Sequence, residues 1–312
     1  MDKYRPTHYT PDARDGRAYV LVEELSFAVD VALATGRPLL VRGEPGSGKS
    51  SLAAHVARER GWRYYEYVVT SRTTARDLLW SFDAVRRLAD AQVATNKGDL
   101  HDADYVEPGV LWWAIAPDSA RRRGATQVAS AGATTKPARD PNPENTNRSP
   151  EHAVVLIDEI DKADPDMPNG ILVPLGSREF FVPEIATTIR PEHPVGKVLV
   201  VITTNEEREL PQAFLRRCVV GTLPAPTPDH LVKVAECHFG LTSTAERELA
   251  AALADQLIVA RDEAVQLGLR PPSTAEYLDA LVALRELSID LNSIYWQRLR
   301  QLTFVKDKQL KD

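Results

Sequence analysis

Apolar residues recur at helical spacing from Ala18 to Thr35, at Leu21, Leu25, Ala28, Val29, Ala32 and Leu33, which predicts an amphipathic helix ended by Gly36. Pro38 to Val41 is a short apolar run closing on a Gly-rich turn, the pattern of a buried strand. Ser51 to Arg60 reads as a helix stopped by Gly61, and the aromatic and β-branched stretch Tyr64 to Val69 as a second strand. Helical spacing returns from Thr74 to Gln92 with Leu78, Leu79, Val85 and Leu88. Two further apolar runs, Ala153–Ile157 and Val198–Thr203, predict a third and a fourth strand. Strands that alternate with helices imply an α/β fold, a parallel sheet covered on both faces.

From about Ala225 the pattern is helical only. Thr227-Pro228 has the form of a cap followed by proline at the first helical position. Ser243 with Glu246, and Ser273 with Glu276, each match a capping box. Leu249, Leu253, Leu257, Ala260 and Ala264 form one apolar stripe. These features predict an irregular leader over 1–17, an α/β core over 18–224 and a small helical domain over 225–312. Within the core, residues 118–150 stand apart: three consecutive arginines, four prolines and few large apolar side chains predict a long surface loop, with a partner or nucleic-acid contact as the alternative.

Composition narrows the class. Hydrophobic residues make up 43% and charged residues 26% of the 312, which is ordinary for a globular protein in water. A net charge of −6 argues against broad nucleic-acid coating. Two cysteines, Cys218 and Cys237, make neither a disulfide framework nor a zinc spacing, and point to a reducing cytoplasm. No apolar stretch reaches bilayer-spanning length, so no membrane insertion is expected, and the first residues lack the apolar core of a signal peptide.

The chemistry begins at Gly43-Glu-Pro-Gly-Ser-Gly-Lys49-Ser50, which fits G-x-x-x-x-G-K-[ST] between a predicted strand and a predicted helix. A triphosphate is crowded with negative charge. Backbone N–H groups at a helix N-terminus bind such charge, and glycines let the backbone come close. Gly43, Glu44, Pro45, Gly46, Ser47, Gly48, Lys49, Ser50 and Ser51 are therefore the expected nucleotide-binding set, for ATP with Mg2+. Lys49 is expected to reach the β- and γ-phosphates and Ser50 to ligate magnesium.

Val154-Val-Leu-Ile-Asp158-Glu159 is an apolar run that ends in two acids, and charges there emerge at the C-terminal edge of the sheet, where α/β folds bind ligands. Asp158 is the expected magnesium-side carboxylate and Glu159 the expected base for the attacking water. Asn205 ends the Val198–Thr204 run and fits either a γ-phosphate contact or the start of a turn. Arg216 and Arg217 end another predicted helix; they fit a phosphoryl-contacting role or a basic helix end favoured by the dipole.

Four segments together resemble AAA+ ATPases of the MoxR-like branch: Arg37–Ser50, Val155–Lys162, Val201–Asn205 and Leu210–Arg217, in that order over about residues 18–220. The resemblance implies a P-loop core followed by a helical lid. It implies that Asn205 is the sensor 1 residue and Arg217 the arginine finger for a neighbouring subunit, with Arg216 as second choice. Arg270, just before a predicted lid helix, is the candidate sensor 2 arginine. The family implies a homo-oligomeric, hexameric ring that remodels or activates a protein partner, with a von Willebrand A-type protein as one class of partner.

Asn96-Lys97-Gly98-Asp99 spells a guanine-reading motif, but it precedes Asp158 rather than following it, and is read as chance. Trp112 and Trp113 are expected as buried aromatics, with a pore or partner contact as the alternative. Two rival functions are a non-catalytic ATP-binding switch or scaffold, and a DNA-directed motor or McrB-like GTPase subunit.

Overall fold

The structure, a computed structural model, describes residues 14–93, 100–125, 136–192 and 196–305. In chain order its first half contains α1 (Glu23–Thr35), β1 (Leu39–Arg42), α2 (Lys49–Glu59), β2 (Trp62–Val68), β3 (Trp80–Phe82), α3 (Ala84–Val93), β4 (Val106–Pro108), α4 (Val110–Ile115) and α5 (Pro117–Arg121). The second half contains β5 (Ser149–Asp158), α6 (Met167–Gly170), α7 (Leu172–Ser177), β6 (Phe180–Val182), β7 (Thr187–Ile189), β8 (Val198–Thr204), α8 (Gln212–Leu215) and β9 (Val219–Thr222). The helices α9 (Pro228–Phe239), α10 (Thr244–Gln266), α11 (Thr274–Glu286) and α12 (Ile294–Thr303) complete it.

Five strands form one sheet in the order β2-β5-β8-β1-β9. The pairs β2/β5, β5/β8 and β1/β8 are parallel. Their sequences are apolar on both faces: Leu39, Leu40, Val41, Val154, Val155, Leu156, Ile157, Val201 and Ile202 are all buried. Such strands belong in a sheet covered on both sides. The register sets Leu39 beside Val201 and Arg42 beside Thr204, and Ile157 beside Ile202. The C-terminal ends of β1, β5 and β8 therefore share one edge. This is the α/β fold, a parallel sheet flanked by helices with an all-helical C-terminal region.

The described residues divide into two compact units. One comprises Glu23–Arg42 and the described residues of 56–221 and holds the sheet; the other comprises residues 14–22, Gly43–His55 and residues 222–305. The core of the sheet unit gathers Leu40, Tyr65, Trp112, Val155, Ile202 and Phe214. The core of the second gathers Leu231, Leu253, Leu257, Tyr277, Leu281 and Trp296. Both expected capping boxes are present, Ser243 with Glu246 and Ser273 with Glu276, and Thr227 caps α9 by accepting the His230 N–H.

Some predicted elements take another form. The first helix starts at Glu23, after an irregular stretch. The segment 74–92 is a 3-10 turn (Ala75–Leu78), β3 and then α3. Asp83 accepts the Arg86 N–H at 2.9 Å to begin α3, and the Gly109 N–H bonds the Leu79 carbonyl at 2.8 Å. Apolar spacing alone did not show this break, because Trp80 and Phe82 fit either period.

Within the 118–150 stretch, residues 126–135 lie outside those described, and the flanks are built into the fold. Asn145 is buried, accepts the Tyr64 N–H at 2.9 Å and donates to the Tyr64 carbonyl at 3.2 Å. Its amide thus occupies the outward hydrogen-bonding groups of β2, the edge strand. Trp112 and Trp113 on α4 are 0% and 2% exposed, so their rings serve the core rather than a pore or partner. Buried Arg63 donates to the carbonyls of Trp113 and Ala114 and anchors the end of that helix. The guanine-type motif at 96–99, and residues 1–13 of the leader, lie outside the described residues.

Candidate functional site

The sheet unit gathers the acids first. Asp158, the last residue of β5, is 1% exposed, and the Thr203 hydroxyl of neighbouring β8 donates to its Oδ1 at 2.5 Å. The same Thr203 oxygen accepts the Glu159 N–H at 2.9 Å. One β8 hydroxyl therefore holds both acidic residues at the strand end. Glu159 is in the left-handed region, φ 61°, where a non-glycine residue is uncommon. That turn follows the buried strand directly and sends its carboxylate out beside β8.

Asn205 follows β8, and its Nδ2 lies 3.5 Å from Glu159 Oε1, at the outer limit of a hydrogen bond. The other Glu159 oxygen accepts from Lys162 Nζ at 2.6 Å. That hydrogen bond from the Glu159 carboxylate raises the Lys162 pKa above its ordinary value, so the ammonium is retained. Asp161 was not singled out by its sequence position, yet it organises this corner. It is 3% exposed, and its Oδ2 accepts the backbone N–H of Asn205 at 3.1 Å and of Glu207 at 3.0 Å. Asp161 Oδ1 is buried with no hydrogen-bond partner among the described residues.

Arg216 and Arg217 follow α8 and are both exposed. Arg37 donates to the Arg216 carbonyl at 2.9 Å, and the Val219 N–H bonds the Pro38 carbonyl at 2.8 Å. Two strand-end contacts therefore fix the turn that presents both arginines.

In the second unit the glycine-rich loop Gly43–Gly48 continues from β1. Gly43, Gly46 and Gly48 all have positive φ, at 155°, 75° and 95°. At Gly46 a side chain would be strained twice over: its Cβ would also fall 2.3 Å from Ser273 Oγ. The Glu44 carbonyl is a hub. It accepts the Ser47 N–H at 3.3 Å, the Ser47 hydroxyl at 2.7 Å and Lys49 Nζ at 2.7 Å. Lys49 also donates to the Gly43 carbonyl at 2.8 Å, and is buried. Lys49, Ser50 and Ser51 form the first turn of α2, directly after the loop.

Beside the loop is a cavity of about 210 Å³ lined by Val22, Ser47, Leu223, Pro224, His230 and Thr274 among others. Burial, and then Lys233, lower the His230 pKa from 6.5, so the ring is neutral at pH 7. The second unit also brings a residue that sequence reading missed. Arg261 on α10 is 7% exposed, and its guanidinium donates to Glu44 Oε2 at 2.7 Å. Arg270, by contrast, pairs with Glu276 at 3.3 Å and is exposed. No short spacing links Arg261 to the loop; 217 positions separate it from Glu44.

A family model for AAA domains of the dynein-related subfamily matches residues 38–218, more than half of the chain. The chain belongs to that family. This AAA domain carries the nucleotide-binding ATPase fold, and its matched segment runs from the strand before the phosphate loop to the arginine pair. Among solved structures, a "putative ATPase" from Cytophaga hutchinsonii is similar at 12% identity over 86% of this chain and 74% of that one. The TM-score between the two is 0.41. No curated protein matches. No helix among the described residues is long and apolar enough to cross a membrane.

Proposed function

We propose that this AAA protein hydrolyses ATP with Mg2+ at the subunit interfaces of a homo-oligomeric ring, and uses the cycle to remodel or activate a partner protein in the manner of MoxR-like chaperones. The observation that carries the reading is the corner at the end of β5 and β8, where Glu159 lies within 3.5 Å of Asn205 and one Thr203 hydroxyl holds Asp158 and Glu159 together. A water placed between a carboxylate and an amide can be oriented by the amide and deprotonated by the carboxylate. A corner built only to close a strand has no need of both.

In this reading Gly43–Ser51 cradle the phosphates, with Lys49 leaving the loop carbonyls for the β- and γ-phosphate oxygens. The cavity beside Leu223 and His230 takes the base, since its mostly apolar walls suit an aromatic ring. Ser50 and Asp158 offer the oxygen donors that magnesium prefers, and Thr203 keeps the Asp158 carboxylate oriented. Magnesium held there would supply positive charge against the phosphoryl oxygens. Glu159 takes the proton of the attacking water, Asn205 orients that water, and Lys162 has to release Glu159 Oε2 for this. Arg217, or Arg216 beside it, is exposed and free to reach a neighbouring subunit's nucleotide. Arg270 is the lid's sensor 2 candidate from the family pattern. A cytoplasmic setting and a von Willebrand A-type partner belong to the same proposal.

The test is a pair of substitutions on the full chain. Glu159→Gln should leave binding of ATP intact, lower steady-state hydrolysis by about 100-fold or more, and accumulate an ATP-bound ring visible by electron microscopy. Mixing Arg217→Ala with Glu159→Gln subunits should restore part of the hydrolysis, because each supplies what the other lacks. Hydrolysis unaffected by Glu159→Gln would refute the mechanism; ATP binding with no turnover in the wild type would favour a switch.

A further inference from the structure

We propose that Arg261 is a positioning residue for the phosphate loop, holding it in its phosphate-ready form from the helical region through Glu44. Nothing in the family pattern at the loop itself calls for Arg261. The inference rests on the nucleotide-binding reading of Gly43–Ser51 and names what regulates its shape.

Arg261 projects from the C-terminal third of the 23-residue helix α10 and is 7% exposed. One arm of its guanidinium donates to the Pro272 carbonyl, just before α11, and the other to Glu44 Oε2 at 2.7 Å. A buried guanidinium with two acceptors is fixed in direction. Its partner is not an incidental surface acid: the Glu44 carbonyl is the hub that accepts the Ser47 N–H, the Ser47 hydroxyl and Lys49 Nζ. Holding the Glu44 side chain therefore holds the peptide on which the loop closes.

The helical region grips the loop at a second point. The Ala275 N–H donates to the Gly46 carbonyl at 3.2 Å, and Ser273 packs against Gly46 so closely that only glycine fits. The first turn of α11 thus touches the loop through a backbone amide and two small side chains and brings no cation. The cation is supplied by α10 instead, one residue removed from the phosphates. Glycine-rich loops lose much freedom when they order around a ligand. A loop ordered beforehand spares that loss and binds more tightly.

The test uses the full chain and two readouts. Glu44→Ala removes the pair from its half-exposed end and spares the interior of α10, so folding is preserved even where Arg261→Ala is not. Without nucleotide, amide exchange over residues 43–50 should quicken by about tenfold, the scale of one charge-assisted hydrogen bond. Affinity for ADP and for a slowly hydrolysed ATP analogue should fall by about tenfold in Glu44→Ala and in Arg261→Ala, and no further in the double variant. AMP, which lacks the β-phosphate that the loop cradles, should lose less than about twofold. Glu44→Gln keeps an acceptor for the guanidinium and should stay within about threefold of wild type. Unchanged exchange and unchanged affinity in Glu44→Ala would overturn the inference. If the wild type bound no nucleotide while exchange still responded, the nucleotide reading would fail and the positioning role would stand; if Lys49→Ala abolished binding while Glu44→Ala matched wild type, only the positioning role would fall.

Discussion

Replacing Asp161 with Ala separates the roles of the corner residues, because this carboxylate meets the corner through backbone N–H groups and not through the side chains expected to act. Its Oδ2 accepts two backbone N–H groups, from Asn205 at 3.1 Å and Glu207 at 3.0 Å, and the residue is 3% exposed. A hydrogen bond to a charged acceptor contributes about 1.5–3 kcal/mol. Asn205 and Glu207 are not fully buried, so water can recover part of what is lost, and the lower end applies to each bond. Asp161→Ala should therefore cost about 3 kcal/mol, a large share of the roughly 5–15 kcal/mol of a typical domain. Asp161→Asn keeps one oxygen and should cost less than half of that, since the buried Oδ1 of the native carboxylate has no partner to lose. Four of the five tryptophans, Trp62, Trp80, Trp112 and Trp113, lie in the sheet unit. Urea unfolding followed by tryptophan fluorescence therefore reports mainly on that unit. The functional effect follows from geometry: Asn205 loses its anchor and drifts from Glu159, and a displacement of about 1 Å at such a site lowers the rate by about 100-fold. Steady-state ATP hydrolysis should fall accordingly with little change in KM, and Asp161→Ala combined with Asn205→Ala should be no slower than Asn205→Ala alone. A loss below about 1 kcal/mol together with a rate within twofold of wild type would refute the argument.

Three other outcomes follow from the same contacts. Asn145→Ala strips the amide from the Tyr64 N–H and carbonyl at the sheet edge and should cost about 2 kcal/mol by the same unfolding assay, whereas a plain surface loop would tolerate it within about 0.5 kcal/mol. Lys162→Met frees Glu159 Oε2 and should raise basal ATP hydrolysis, by no more than about fivefold because both side chains are partly exposed; a fall in rate would show that the ammonium aids the reaction instead. Burial lowers both His230 and His238 from 6.5, with Lys233 adding to the shift at His230 and Asp15 opposing it at His238. With folded values below the unfolded one, the unfolded chain binds more protons as pH falls through 6.5. Stability is thus full above that value and declines as pH falls toward the lowered ones, so the melting temperature should drop from pH 7.5 to 5.5, and His230→Gln with His238→Gln should flatten that drop.

Short-range chemistry was readable from residue order. The glycine-rich turn after β1 depends on glycines within eight consecutive positions, and the capping boxes on a side chain reaching three residues along, so spacing alone determined them. The buried strands followed from unbroken apolar runs, because a strand covered on both faces has no polar side to show. Where a short segment suited two periods, at 74–92, only packing decided: Trp80 stacks on Phe180, a hundred positions away, and draws its neighbours into a strand. The flanks of the 118–150 stretch were decided in the same way. Their polarity predicted a solvated loop, but Asn142 and Asn145 meet the open edge of β2, where amides are the partners the backbone needs.

Asp158, Glu159 and Asn205 could be picked out one by one from strand ends, but their meeting depends on the register of β5 on β8. Asp161 and Arg261 could not be picked out at all. Asp161 finds its amides 44 and 46 positions on, and Arg261 its acid 217 positions back. An acid after a strand or an arginine inside a helix carries no mark of such a partner, because the pairing energy exists only once the fold has closed the intervening chain.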